Sequence, residues 1–190
     1  MGRADVTLHG HIDSEAKAME RRRDAGPAGS VLIRRADAGD VPAIARFQRT
    51  AWQEAYAGIL SASYLSSLSV PAIELEWEAY LESGSRSIAM AHDAEGRLLG
   101  VASWGPADVP AERLPPLELK SIYVDAAHFG RGVGGALLKN ALGDRPAQLW
   151  MFEGNERAAA FYRRHGFSPD DGRLHDAAAD AWEVRLVRWG

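Results

Sequence analysis

The sequence predicts a mixed α/β domain whose central sheet has about six to seven strands flanked by helices. Three observations carry that prediction. Short apolar runs rich in β-branched residues alternate with helically spaced segments over residues 31–190. The resulting order is strand, helices, three strands, helix, strand, helix, two strands. Tight turn signals separate some neighbours and whole helices separate others, so antiparallel and parallel pairings are both required.

Residues 1–29 stand apart. They hold few large apolar residues, a basic triplet at Arg21–Arg23 and a Gly/Pro/Ser-rich close, which reads as a flexible tail with one short helix near 14–23. His9 and His11 fall in this tail and read as ordinary surface histidines. From Val31 the punctuation becomes regular. "VLIRRA" is a short β-branched strand. "DVPAIARFQRTAWQEAY" has Asp40 placed as N-cap, Pro42 in the first turn, and Ile44, Phe47 and Ala51 at helical spacing. "SASYLSSLS" and "VPAIELEWEAYLES" follow as two further helices. "SRSIAMAHDAEGRLLGVASWGP" is a hairpin with its turn at Asp93–Gly96. "PPLELKSIYV" is a strand entered through prolines. A helix carrying Val133, Leu137 and Ala141 on one stripe ends at Gly143. "AQLWMF" is a strand, "NERAAAFYRRH" a helix opened by Asn155 and closed by Gly166. "FSPD" and "AWEVRLVRW" are two last strands around a polar loop.

Composition narrows the function. With 190 residues, 46% of them apolar, one soluble domain with a sizeable core is expected. The formal net charge of −4 and a pI near 5.9 argue against nucleic-acid binding. The absence of cysteine excludes disulfides, thiolate metal sites and a cysteine nucleophile. No apolar run is long enough to cross a membrane and no apolar signal core opens the chain, so a cytoplasmic location without a membrane partner is expected.

The densest signal is "YVDAAHFGRGVGGALL" at 123–138, where four glycines fall within six positions. Gly130, Gly132 and Gly135 spell the dinucleotide fingerprint G-x-G-x-x-G, and Glu153 stands where a ribose-binding acid would. Two features weigh against that reading. Asp125–Phe129 intervene between strand and first glycine, and no further βαβ units follow. A Walker A loop lacks its Gly-Lys-Ser/Thr. Glycines opening a helix still expose backbone N–H groups at its positive end, which suits a phosphate-bearing ligand; close helix packing is the competing explanation. In "NERAAAFYRRHGF", Asn155 and Tyr162 are two helical turns apart on one face, about 10 Å along the axis, with Ala158 and Ala159 between them.

Together the two segments resemble the GNAT superfamily of N-acetyltransferases, which use acetyl-coenzyme A. The resemblance follows element order over residues 31–189, strongest over "LELKSIYVDAAHFGRGVGGALL" and "NERAAAFYRRHGF". It implies a GNAT-like mixed, splayed sheet and acetyl-CoA as cosubstrate, with no metal. The glycine loop (Gly130, Arg131, Gly132, Val133, Gly134, Gly135) is then the pyrophosphate site, with Arg131 and Arg164 meeting phosphate by charge. The backbone of Ile122, Tyr123 and Val124 becomes the partner of acetyl and pantetheine groups and the oxyanion donor. Asn155, Ala158 and Tyr162 face the pantetheine and thioester. Phe129 departs from the family's Gln/Arg at that position. "TAWQEAYAGILSASYLSSLS" is similar to a bacterial subgroup with a Trp-x-x-x-Tyr first helix.

The implied reaction is transfer of the acetyl group to a primary amine of a small molecule or peptide by direct attack. A phenol stays protonated at neutral pH, which suits Tyr162 as acid toward the departing thiolate. Glu118 matches the family position of the base. Tyr123, a water chain or His128 are its substitutes, with His128 more naturally a neighbour of phosphate. Trp52, Tyr56 and Trp104 are candidates to line the acceptor pocket, where a cation can stack, with Glu54 as an amine anchor. Pairing of two copies is implied by family analogy. A CoA-binding regulatory module without turnover and a nicotinamide-dependent oxidoreductase remain the alternatives.

Overall fold

The computed structural model describes residues 31–108 and 113–190. The expected tail and its short helix lie outside the described residues, as do His9 and His11. Residues 31–190 form one compact unit. Its seven strands are β1 (Leu32–Arg35), β2 (Ser87–His92), β3 (Leu98–Pro106), β4 (Leu117–Val124), β5 (Ala147–Phe152), β6 (Ser168–Asp176) and β7 (Ala181–Arg188). Five helices are α1 (Val41–Ala55), α2 (Ala62–Ser67), α3 (Val70–Ser83), α4 (Val133–Leu142) and α5 (Glu156–Arg164). One sheet contains all the strands in the order β1-β2-β3-β4-β5-β7-β6. Among the described strands only β4 and β5 run parallel, joined through α4; the other neighbours are antiparallel.

Helices cover both faces of the sheet. On one, α1 and α3 bury Val41, Ile44, Ile73 and Trp77 against Ile88, Met90 and Val101. The Trp77 indole Nε1 donates to Gln48 Oε1 at 2.6 Å, so the ring is buried without an orphaned N–H. On the other, α4 and α5 pack Leu138, Leu142 and Tyr162 on Leu119, Leu149, Met151 and Leu186. Burying each such side chain contributes about 1.5–3 kcal/mol, which fixes the helix axes over the sheet.

The N-cap expected at Asp40 is used differently. Asp37 caps a 3-10 turn at Ala38–Asp40, while the Asp40 carboxylate accepts from the Asp37 amide and grips the Arg34 guanidinium with both oxygens at 2.6 and 2.7 Å. The last hairpin also differs. The expected four-residue strand "FSPD" is the start of a nine-residue edge strand, with an irregularity between Pro169 and Arg173. Its outer half is polar because an edge strand needs only backbone pairing on one side, so its composition reads as a loop.

Candidate active site

The site begins where the sheet opens. Parallel pairing of β4 with β5 is confined to Glu118↔Gln148 and Leu119↔Leu149. Beyond that point β4 continues to Val124 paired with β3, and β5 continues to Phe152 paired with β7. The strands part, leaving one edge of β4 from Lys120 to Val124 without a ladder partner. An extended ligand laid along that edge meets free backbone donors and acceptors. The gap is the floor of a cleft of about 450 Å³.

One end of the cleft is the glycine loop. Asp125 opens a 3-10 turn over Ala126–His128 as its N-cap and holds His128 Nδ1 at 2.7 Å. Gly130 and Gly132 then adopt φ of +73° and +86°, left-handed conformations that side chains resist. Gly132 stands at the N-cap of α4 without a side-chain cap. The first helical N–H to find an acceptor there is that of Ala136, on Gly132 O at 2.9 Å. The amides of Val133, Gly134 and Gly135 therefore lie open at the positive end of a ten-residue helix, a chemistry that fits a pyrophosphate.

The wall opposite β4 comes from α5. Asn155 is its N-cap, with Oδ1 accepting from the Ala158 amide at 3.1 Å, and the side chain is buried at the cleft. Tyr162 lies between the rings of Phe161 and Phe167, at centroid distances of 5.2 and 5.9 Å. Burial, assisted by Tyr123, pushes its phenol well above the ordinary tyrosine range. The phenol therefore keeps its proton at neutral pH. At the far end, the rings of Trp52, Tyr56 and Phe152 meet edge to face at 5.1–6.0 Å.

Residues 84–169, which contain the opened strands, the glycine loop and the Tyr162 helix, match the family model described as an acetyltransferase (GNAT) domain. The cleft-forming part of the chain is thus similar to the GNAT acetyltransferases in sequence, and the fold around it is similar to theirs. It is 29% identical over 164 residues to the uncharacterised N-acetyltransferase YuaI of Bacillus subtilis (strain 168), covering 83% of this chain and 88% of that protein. Its fold matches the PaiA N-acetyltransferase from Thermoplasma acidophilum, solved in complex with coenzyme A. The TM-score there is 0.63 at 20% identity, over 85% of this chain and 99% of that one. A ribosomal-protein-alanine N-acetyltransferase from Brucella melitensis gives a TM-score of 0.62 at 23% identity, over 84% and 99%.

Among the described residues, the cleft gathers most of those expected from sequence. Ile122, Tyr123, Val124, Gly130, Gly132, Gly134 and Gly135 line it, as do Asn155, Ala158, Tyr162, Arg164 and His128. Trp52 and Tyr56 line it too. Others are placed elsewhere. The Val133 side chain is buried in the core beneath α4. Arg131 is exposed and Trp104 packs against the core instead of the cleft. Glu54 sits in a separate shallow depression beside Arg46 and Arg97. Glu118 is buried outside the lining, with Oε1 3.1 Å from Lys120 Nζ and Oε2 accepting from the Asp108 amide at 3.4 Å. Glu153 is spent on Arg173 with two bonds of 2.9 Å, which removes the residue the dinucleotide reading needed.

Several lining residues were not singled out from sequence: Lys120, Trp150, Phe152, Arg157, Asp176 and Glu183. Arg157 stacks its guanidinium 3.6 Å over the Phe129 ring, so the apolar residue at an ordinarily polar position supports a cation from α5. Glu183 carried one signal, a carboxylate in the apolar alternation of "AWEVRLVRW". Among the described residues, no group of three or more His, Asp and Glu side chains is arranged to hold a metal ion, and no helix is long and apolar enough to cross a membrane.

Proposed function

We propose that this protein transfers the acetyl group of acetyl-CoA to a primary amine of a small molecule or peptide by direct attack. The observation that carries the reading is convergence. The open amides of α4, the free edge of β4 and the Tyr162 phenol come from segments as far apart in sequence as Lys120 and Tyr162, yet they line one cleft. When bound, acetyl-CoA supplies the activated acyl group. The α4 amides receive its pyrophosphate, with Arg157 and Arg164 as nearby cations. A β4 amide within Ile122–Val124 donates to the oxygen on which charge develops. The Tyr162 O–H hands its proton to the departing sulfur.

Direct attack also needs a group that takes a proton from the amine. Glu118 is the glutamate implied by the resemblance, but its contacts favour a different role. It holds the buried Lys120 ammonium against the cleft wall, together with Asp108 at 2.7 Å.

The test is thiol release from acetyl-CoA across alkyl amines, amino acids, aminoglycosides and peptides. Tyr162→Phe should lower kcat by roughly a hundredfold or more, while the melting-temperature rise induced by acetyl-CoA persists. Equal turnover in that variant would remove Tyr162 from the chemistry. No response of the wild type to acetyl-CoA in either assay would remove the whole reading.

A further inference from the structure

We propose that Glu183 receives the acceptor, its carboxylate holding the ammonium form of a cationic amine and taking the proton that must leave before attack. The inference rests on the acetyltransferase reading and names the substrate class of that same cleft.

Strand register places the residue. Glu183 of β7 stands directly opposite Phe152 of β5 and Leu174 of β6, so its side chain shares the sheet face of the Phe152 ring. Phe152 in turn touches Trp52 and Tyr56, with centroids 6.0 and 5.3 Å away. Tyr56, the residue that ends α1, lines the same cleft as Glu183; burial raises the phenols of Tyr56 and of Tyr64 in α2, and the negative charge of Glu183 adds to both shifts.

The other carboxylates near the cleft are engaged. Glu118 pairs with Lys120, and Asp176 Oδ1 accepts from the amides of Ala178 and Ala179. Glu153 is bound to Arg173. Glu183 is half-buried in the cleft lining, and among the described residues no cation or N–H donor holds it. The charged and titratable groups coupled to it are Asp176 from β6, Glu118 from β4, Tyr56 at the end of α1 and Tyr64 from α2, and Lys120 from β4 with Arg157 and Tyr162 from α5 line the same cleft. Burial first, then Asp176 and Glu118, raise its proton affinity above that of an ordinary glutamate. Such a carboxylate is short of a cation and is a better base than a solvated one. Aromatic rings beside it favour an alkylammonium and disfavour an anionic acceptor.

The proton balance is simple. An N–H bond of the ammonium breaks, its electron pair stays on nitrogen, and an O–H bond forms on Glu183. The neutral amine keeps that lone pair for attack, and the carboxyl later returns its proton to solvent.

Binding and turnover are read separately. Wild type, Glu183→Gln and Glu183→Asp are each saturated with CoA and titrated with 1,4-diaminobutane and benzylamine, and with the matched neutral alcohols. At least one amine should bind the wild type about tenfold more tightly than its alcohol. Glu183→Gln should erase that preference, and Glu183→Asp should restore part of it. A preserved melting-temperature rise with acetyl-CoA shows that each variant is folded. In thiol release, Glu183→Gln should lose roughly a hundredfold in kcat/KM. The proposal is overturned if no amine outbinds its alcohol, if the preference survives in Glu183→Gln, or if turnover is unchanged. A Glu183-dependent amine preference in a wild type that releases no thiol would leave the recognition standing and remove the transferase reading instead.

Discussion

At the scale of single residues, the four glycines of the loop do two different jobs. Gly130 and Gly132 have open space where a Cβ would stand but adopt positive φ, so their requirement is conformational. Gly134 and Gly135 have helical backbones, and a Cβ there would stand 3.2 Å from the Phe161 ring and 3.3 Å from His165 Nε2. Their requirement is the close seating of α4 against α5. A left-handed turn and close helix packing are separate demands within one motif, and each accounts for two of its glycines. Gly132→Ala should cost about 1–2 kcal/mol by forcing a Cβ into the left-handed region, or roughly 3–6 °C in a thermal melt. It should also cut the acetyl-CoA-induced shift, because the strained residue caps the helix whose amides lie open. A variant that melts lower yet keeps the full ligand shift would separate the loop conformation from binding. Glu183 was missed at this same scale because a single carboxylate in an apolar strand looks like an exposed position, and only its partners across the sheet place it in the cleft.

At the scale of elements, local signals were legible and long-range pairings were not. The start and stop of α4 and α5 follow from residues that stand beside them. Gly143 and Gly166 end the helices, and Asn155 caps α5 with its own side chain. The parting of β4 from β5 has no such signature. "SIYV" has the same composition whether or not a neighbour pairs with it, and its would-be partner lies a helix away in sequence. Only the family resemblance implied a splayed sheet. The outer half of β6 failed for the opposite reason, since its polar composition hides a strand held by backbone bonds to β7. Glu118 belongs here as well: its position on β4 was right, but the Lys120 ammonium that occupies it comes from two residues along the same face. The cap at Asn155 joins local structure to function. Asn155→Ala should destabilise the protein by about 1 kcal/mol, and it should also weaken acetyl-CoA binding, because the first turn of α5 is part of the cleft wall. Melting in the absence and presence of acetyl-CoA measures both, and a loss of stability with unchanged ligand shift would confine Asn155 to capping.

At the scale of the whole molecule, the cleft concentrates unfavourable charge that the rest of the fold supports. Cores cover both faces of the sheet in which β4 and β5 part, and the cleft at that gap holds an uncompensated carboxylate. Functional groups of this kind lower stability where activity needs them. Because the proton affinity of Glu183 is higher in the folded protein than in the unfolded chain, the fold gains from it only while it is protonated. That gain fades as pH rises from the unfolded glutamate value through the raised folded value, and above the window the ionised group is a net cost. Glutamine does not titrate. Glu183→Gln should therefore melt higher than the wild type at neutral pH, and the difference should shrink as pH falls through that window. Solvent on the open side of the cleft screens the charge, so the gain is on the order of 0.5 kcal/mol, or about 1–2 °C. Thermal melts of both proteins from pH 4 to 8 decide the matter. A variant less stable than the wild type at neutral pH would mean that Glu183 has a partner stabilising it in the folded state, and the acceptor's ammonium would then have to compete for it.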